Sequence, residues 1–148
     1  MSAAIERLKL LYTDFLAADP AAIASVYAHD VVFRDPVHEV RGLEAMQQYF
    51  AGVSQNLQEC RFQFDFDAHQ QGRGTLWWMM EYRHPRLGGG KLLKLRGASL
   101  LEIDQASDRV VRHEDVYDLG AMVYEQVPLL GSVVRSVKRR LADNGSAS

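Results

Sequence analysis

The chain has 148 residues, which suits one compact domain with its own core and leaves little room for a second. A hydrophobic share of 47% and a charged share of 24% are ordinary for a soluble globular protein, and a formal net charge of −2 gives no reason to expect nucleic acid as a partner. The single cysteine, Cys60, excludes an internal disulfide, and no zinc-type Cys/His spacing or membrane-length apolar run occurs. A cytoplasmic protein with no stable membrane insertion, no metal and no bound cofactor is therefore expected.

In chain order, residues from about Ala4 to Ala18 place Ile5, Leu8, Leu11, Tyr12, Phe15 and Leu16 at helical spacing, with Glu6, Lys9, Thr13 and Asp14 opposite. Asp19-Pro20 caps and opens a second short helix running through Ile23, Val26 and Tyr27. Val31-Val32-Phe33 reads as a short strand that stops at Arg34-Asp35-Pro36, because proline has no N–H to give a ladder. Gly42 opens a third helix with Leu43, Met46, Tyr49, Phe50, Val53 and Leu57 on one face. Strands follow. Residues Glu59 to Ala68 alternate, with Cys60, Phe62, Phe64, Phe66 and Ala68 on one side. A turn at Gln71-Gly72-Arg73-Gly74 leads to a strand from Thr75 to His84, with Leu76, Trp78, Met80 and Tyr82 sharing a side. After the glycine-rich loop from Pro85 to Gly90, the strand from Leu92 to Ile103 sets Leu93, Leu95, Gly97, Ser99 and Leu101 on one face.

The next stretch, Val110 to Asp118, is the most informative. As a strand it puts Val111, His113, Asp115 and Tyr117 on one side. Beyond it, a short helix from Leu119 to Gln126 is broken by Val127-Pro128-Leu129-Leu130-Gly131. A basic amphipathic helix then runs from Ser132 to Ala142, serving as a lid, a dimer element or a weak membrane-surface contact. A single domain over residues 1–143 and a disordered tail over 144–148 are expected.

Helices followed by a meander of long strands imply an α+β domain, in which a curved antiparallel sheet wraps the helices and leaves a conical cavity. His113, Asp115 and Tyr117 would line one wall, either as a reaction or binding site or as a network that stiffens the end of the sheet. Trp78, Met80 and Tyr82 would either line an apolar pocket or fill ordinary core. Asp35 before Pro36 serves equally as turn chemistry or as a functional carboxylate, and His38 nearby is expected to be solvated. On the other side of the strands, Trp77 and Met79 sit among charges of mixed sign, which suits a homodimer formed through the sheet face.

The segments Tyr27-Ala28-His29-Asp30-Val31-Val32-Phe33-Arg34-Asp35-Pro36, Arg41-Gly42 and Asp115-Val116-Tyr117-Asp118 resemble the nuclear transport factor 2-like (SnoaL-like) superfamily. Ketosteroid isomerase, limonene epoxide hydrolase and polyketide cyclases belong to it. The resemblance runs from the first helix through Asp118. It implies a cone-shaped, cystatin-like half barrel, a small hydrophobic molecule as ligand and sheet-to-sheet dimers. By that resemblance Asp35 stands where the isomerase has its general base, Tyr12 where it has its oxyanion-hole tyrosine, and Ser99 where it has a protonated aspartic acid. Asp115 stands where the cyclases and the epoxide hydrolase have a base. The Arg-x-Asp pair of the epoxide hydrolase has no counterpart in Trp78-Met79-Met80-Glu81-Tyr82. The expected functions are proton-abstraction chemistry on a small carbonyl or hydroxyl compound, small-molecule binding without turnover, or protein interaction with a vestigial pocket. In the first, the catalytic set is Asp115, Asp35, His113 and Tyr12. Tyr117, Ser99, Trp78, Met80 and Tyr82 contact the substrate.

Overall fold

A computed structural model of the protein describes residues 2–122 and 136–143. Helix α1 (Ala3–Thr13) lays Ile5, Leu8, Leu11 and Tyr12 into the core. A 3-10 turn at Phe15–Ala17 follows, and α2 (Pro20–Val26) starts at Asp19, whose side chain accepts a hydrogen bond from the Ala22 N–H at 2.7 Å. Strands β1 (Tyr27–Arg34) and β2 (Glu39–Arg41) form a small hairpin around Pro36. Helix α3 (Leu43–Asn56) buries Met46 and Phe50. Long strands β3 (Glu59–Gln70), β4 (Arg73–Arg83), β5 (Leu93–Asp104) and β6 (Arg109–Tyr117) make an antiparallel meander, followed by α4 (Leu119–Met122).

The six strands form one curved, unclosed sheet in the order β2-β1-β6-β5-β4-β3, with the helices on its inner face. This is the α+β class the element order predicts. The core between helices and sheet holds Leu8, Phe15, Ile23, Phe50, Phe62 and Leu76, all buried. Each side chain of this size gains about 1.5–3 kcal/mol from full burial.

Four expectations need correcting. Tyr27 does not end α2 but begins β1, where it pairs in parallel with Val110 of β6; the strand is thereby eight residues long. The Glu39–Arg41 strand has no counterpart in the sequence reading, being too short and too charged to stand out. Alternation along β3 breaks at Asp65, which has no partner in the β4 register, so Phe66 faces outward and is 56% exposed. A second irregularity sits at Val111 of β6, and it is Val110, not Val111, that is buried with His113.

Residues 136–143 form a helix (α5) whose Lys138 pairs with Asp118, while Val137 and Leu141 are exposed. The expected Val127–Gly131 break, the beginning of the basic helix and the 144–148 tail lie outside the described residues. No described helix is long and apolar enough to cross a membrane.

Candidate functional site

The site is built from cross-strand neighbours. On the inner face, Ser99 of β5 stands opposite Asp115 of β6, and Leu101 stands opposite His113. The parallel pairing of β1 with β6 sets Phe33 beside His113. One position along, Gly97 faces Trp78 of β4. A Cβ at residue 97 would come within 2.2 Å of the Trp78 ring, so glycine there is what lets the indole lie against β5.

These neighbours form one hydrogen-bonded chain. Trp78 Nε1 donates to Ser99 Oγ at 2.9 Å. An indole N–H cannot accept, so the Ser99 proton is directed to Asp115 Oδ1, 2.6 Å away. His113 Nε2 lies 2.7 Å from the same Oδ1, and a carboxylate can only accept, so Nε2 carries a proton. His113 Nδ1 is then the acceptor for the Tyr27 hydroxyl at 2.8 Å, and Tyr27 accepts from the Tyr12 hydroxyl at 2.7 Å. This ordering uses every proton once. His113 is 1% exposed and packs against Tyr12, Tyr27 and Phe33.

Asp115 presents the free polar atom of this chain to open space. A cavity of about 450 Å³ lies between the helices and the inner sheet face, lined by Tyr12, Asp35, Trp78, Met80, Tyr82, Asp115 and Tyr117 among others. Asp115 is 8% exposed, and its Oδ2 has no hydrogen-bond partner among the described residues. No fully buried side-chain polar atom among the described residues is left unpaired, so Oδ2 opens onto the cavity. His113 and Ser99, expected at the cavity wall, stand one layer behind it and hold Asp115 in place.

Asp35 occupies another wall, its side chain only 4% exposed. Its Oδ1 accepts from the backbone N–H of Val37 at 2.8 Å and of His38 at 2.6 Å, the geometry of an Asx turn. His38 Nδ1 lies 3.2 Å from the same oxygen, and the Tyr49 hydroxyl approaches Oδ2 at 3.4 Å. His38 is not simply solvated: it also stacks edge-on against Tyr49. Much of the acceptor capacity of Asp35 is thus spent on its own loop.

The phenols report the electrostatics of the cavity. Burial first, then the charges of Asp35 and Asp115, hold the Tyr49 and Tyr117 hydroxyls well above the ordinary phenol range. Tyr12 and Tyr27 are raised as well, in both cases chiefly by burial. Cys60, also on the cavity wall, is pushed up to about 12 by burial, so its thiol stays protonated and is a poor nucleophile at neutral pH. Among the described residues no three His, Cys, Asp or Glu side chains converge to hold a metal ion.

Sequence reasoning missed Tyr27, the residue that fixes His113 from the far side. Its only local signal was a place on an apolar helical stripe, and 86 residues separate it from His113.

No curated protein matches the sequence. Solved structures do resemble the fold. One is a protein with a ketosteroid isomerase-like fold from Catenulispora acidiphila, solved in complex with trimethylamine. It superposes with a TM-score of 0.71 at 15% identity, covering 84% of this chain and 93% of its own. An NTF2-like protein from Burkholderia pseudomallei gives 0.71 at 18% identity, covering 83% and 96%. A Shewanella putrefaciens protein provisionally named a SnoaL-like polyketide cyclase gives 0.68 at 19%, covering 87% and 98%. These likenesses establish the fold. The sequence profile of the SnoaL-like domain matches residues 8–113, most of the chain and all of the sheet up to the strand that carries His113. On that match the protein belongs to the SnoaL-like domain family, and its fold is that of an NTF2-like protein.

Proposed function

We propose that the cavity binds a small, largely apolar molecule and that Asp115 acts on it as a general base. The observation that carries this reading is the Asp115 carboxylate itself: Oδ1 is fixed by two donors while Oδ2 faces the cavity without a partner among the described residues. A base whose orientation is set by its neighbours gives proton transfer without reorganisation at the moment of reaction. His113 and Ser99 are positioning residues, and Tyr12 and Tyr27 hold His113. Trp78, Met80, Tyr82 and Tyr117 supply apolar contact, with the Tyr117 hydroxyl as a donor. Asp35, committed to its turn, shapes the charge of the far wall and is the lesser candidate for the base. A carboxylate base can start isomerisation, cyclisation or dehydration by taking a proton from the bound molecule, or hydrolysis by taking one from water, and the cyclase name of the Shewanella relative fits this range.

A binding role without turnover is the second reading. It is favoured by the commitment of the Tyr12 and Ser99 hydroxyls to the internal chain, which leaves few donors for a developing oxyanion. The deciding experiment identifies the co-purifying ligand by mass spectrometry and follows its conversion by wild type and Asp115→Asn. Loss of about 10²-fold or more is expected for the base. Equal turnover by the variant refutes the assignment, and binding with no conversion by wild type selects the carrier.

We further propose a cytoplasmic homodimer through the outer sheet face. In support, Phe66, Trp77, Ala98 and Val116 fall in one row across β3, β4, β5 and β6, and Phe66, Trp77 and Val116 are each at least 43% exposed. Such a row is costly to leave in water. Light scattering should give twice the chain mass, and a monomeric mass would reject the dimer.

A further inference from the structure

The cavity has a charge inventory as well as a shape. Of the described residues that line it, Asp35 and Asp115 are acidic, none is lysine or arginine, and only His38 and His84 could carry a positive charge. Both carboxylates are buried. Asp115 is 8% exposed as a residue and the Asp35 side chain 4%, so water screens them weakly. Each takes hydrogen bonds as an acceptor, as an ionised carboxylate does. Their fields meet in the cavity, since both bear on the Tyr49 and Tyr117 phenols. The remaining wall is strongly aromatic: eight of the lining residues are Phe, Tyr or Trp. The faces of such rings carry partial negative charge and attract cations.

We infer that the ligand of this cavity is a small organic cation, an amine protonated at neutral pH or a quaternary ammonium, with apolar substituents. This rests on the reading of the cavity as a ligand site and adds the charge. An anionic ligand would meet two buried carboxylates and, among the described residues, no compensating arginine or lysine. A neutral ligand would leave the open Oδ2 of Asp115 without a charged partner. A cation seated between Asp35 and Asp115 satisfies that oxygen and the aromatic faces together. It also removes a difficulty in the chemistry. The Tyr12 and Ser99 hydroxyls are spent inside the network, so negative charge developing on a substrate would find little support, whereas a substrate that brings its own positive charge needs less of it.

The test uses the full-length protein and three probes with one ring: cyclohexylmethylamine, cyclohexylmethanol and cyclohexanecarboxylate, titrated calorimetrically at pH 7 and low salt. The amine should bind at least about tenfold more tightly than the alcohol, and the carboxylate more weakly than either. Asp35→Asn, which keeps the turn's acceptor oxygen, should reduce the amine's advantage over the alcohol. If the alcohol binds as tightly as the amine, the cation is wrong and the cavity reading stands. If the carboxylate binds best, the charge argument is reversed. If none of the three binds, both the cation and the ligand site fall together.

Discussion

Tyr27→Phe is the sharpest test of the hydrogen-bond chain behind Asp115. The substitution keeps the ring, which is buried and stacked on His113 at 5.9 Å, and removes one oxygen. That oxygen serves two neighbours, as donor to His113 Nδ1 and acceptor from Tyr12. Its loss strands a ring nitrogen and a hydroxyl, both buried. A buried group left unpaired costs about 1–3 kcal/mol, so the variant should lose about 2–4 kcal/mol of stability, allowing for partial relaxation. Tyr12→Phe removes a donor to Tyr27 but strands nothing else, and should cost only about 1 kcal/mol. The double variant no longer has the orphaned Tyr12 hydroxyl, so it should be more stable than the sum of the single losses implies. Urea unfolding of the four proteins measures all three quantities, given unchanged slopes. A Tyr27→Phe loss below about 0.5 kcal/mol, or strict additivity in the cycle, would refute the hydrogen-bond chain.

Three further outcomes follow from local geometry. Gly97→Ala drives a methyl group into the Trp78 ring and should cost about 1–3 kcal/mol and shift the tryptophan emission, read by urea unfolding and fluorescence. Gly52→Ala in α3 meets nothing within 4 Å and should stabilise by about 0.5–1 kcal/mol, because glycine is a poor helix former. A destabilised Gly52→Ala would show that the space beside α3 is smaller than described. The raised phenols of Tyr12, Tyr27 and Tyr49 favour the neutral form in the folded state. Their contribution is fully present below the ordinary phenol value of 10.0 and is lost as pH rises above it. Stability should fall by up to about 1.4 kcal/mol per pH unit for each such phenol, with their absorbance at 295 nm changing only as the chain unfolds. Smooth ionisation of all six tyrosines in the native protein would contradict this.

Much of the site was legible because strand alternation is a local property. The two-residue spacing of His113, Asp115 and Tyr117 was enough to put them on one face, and Ser99 and Trp78 followed from the same parity on neighbouring strands. Which of them meets the cavity was not legible. His113 lies behind Asp115 because Tyr27 and Phe33 occupy the space in front of its ring, and that depends on a parallel pairing between β1 and β6. Nothing local encodes such a pairing. Tyr27 itself was misplaced because the helix α2 passes into β1 without a glycine or proline between them, so the apolar spacing runs on across the boundary. The irregularities at Asp65 and Val111 were hidden for a related reason. An extra residue in a strand leaves composition unchanged and shifts only the phase.

The Asp65 shift has a consequence for how the molecule divides its surfaces. Before it, β3 sends Cys60, Phe62 and Phe64 inward; after it, Phe66 turns outward and Asp67 turns inward to pair with Lys9 of α1. One strand therefore furnishes the wall of the cavity with its first half. With its second half it furnishes both an anchor for the N-terminal helix and an aromatic ring on the outside. Were Asp65 paired in the ladder rather than skipped, strict alternation would exchange these assignments, driving Phe66 under α1 and turning Asp67 away from Lys9. Along β3, then, one unpaired residue is as much a determinant of what the protein shows to the outside as the identity of any residue on it.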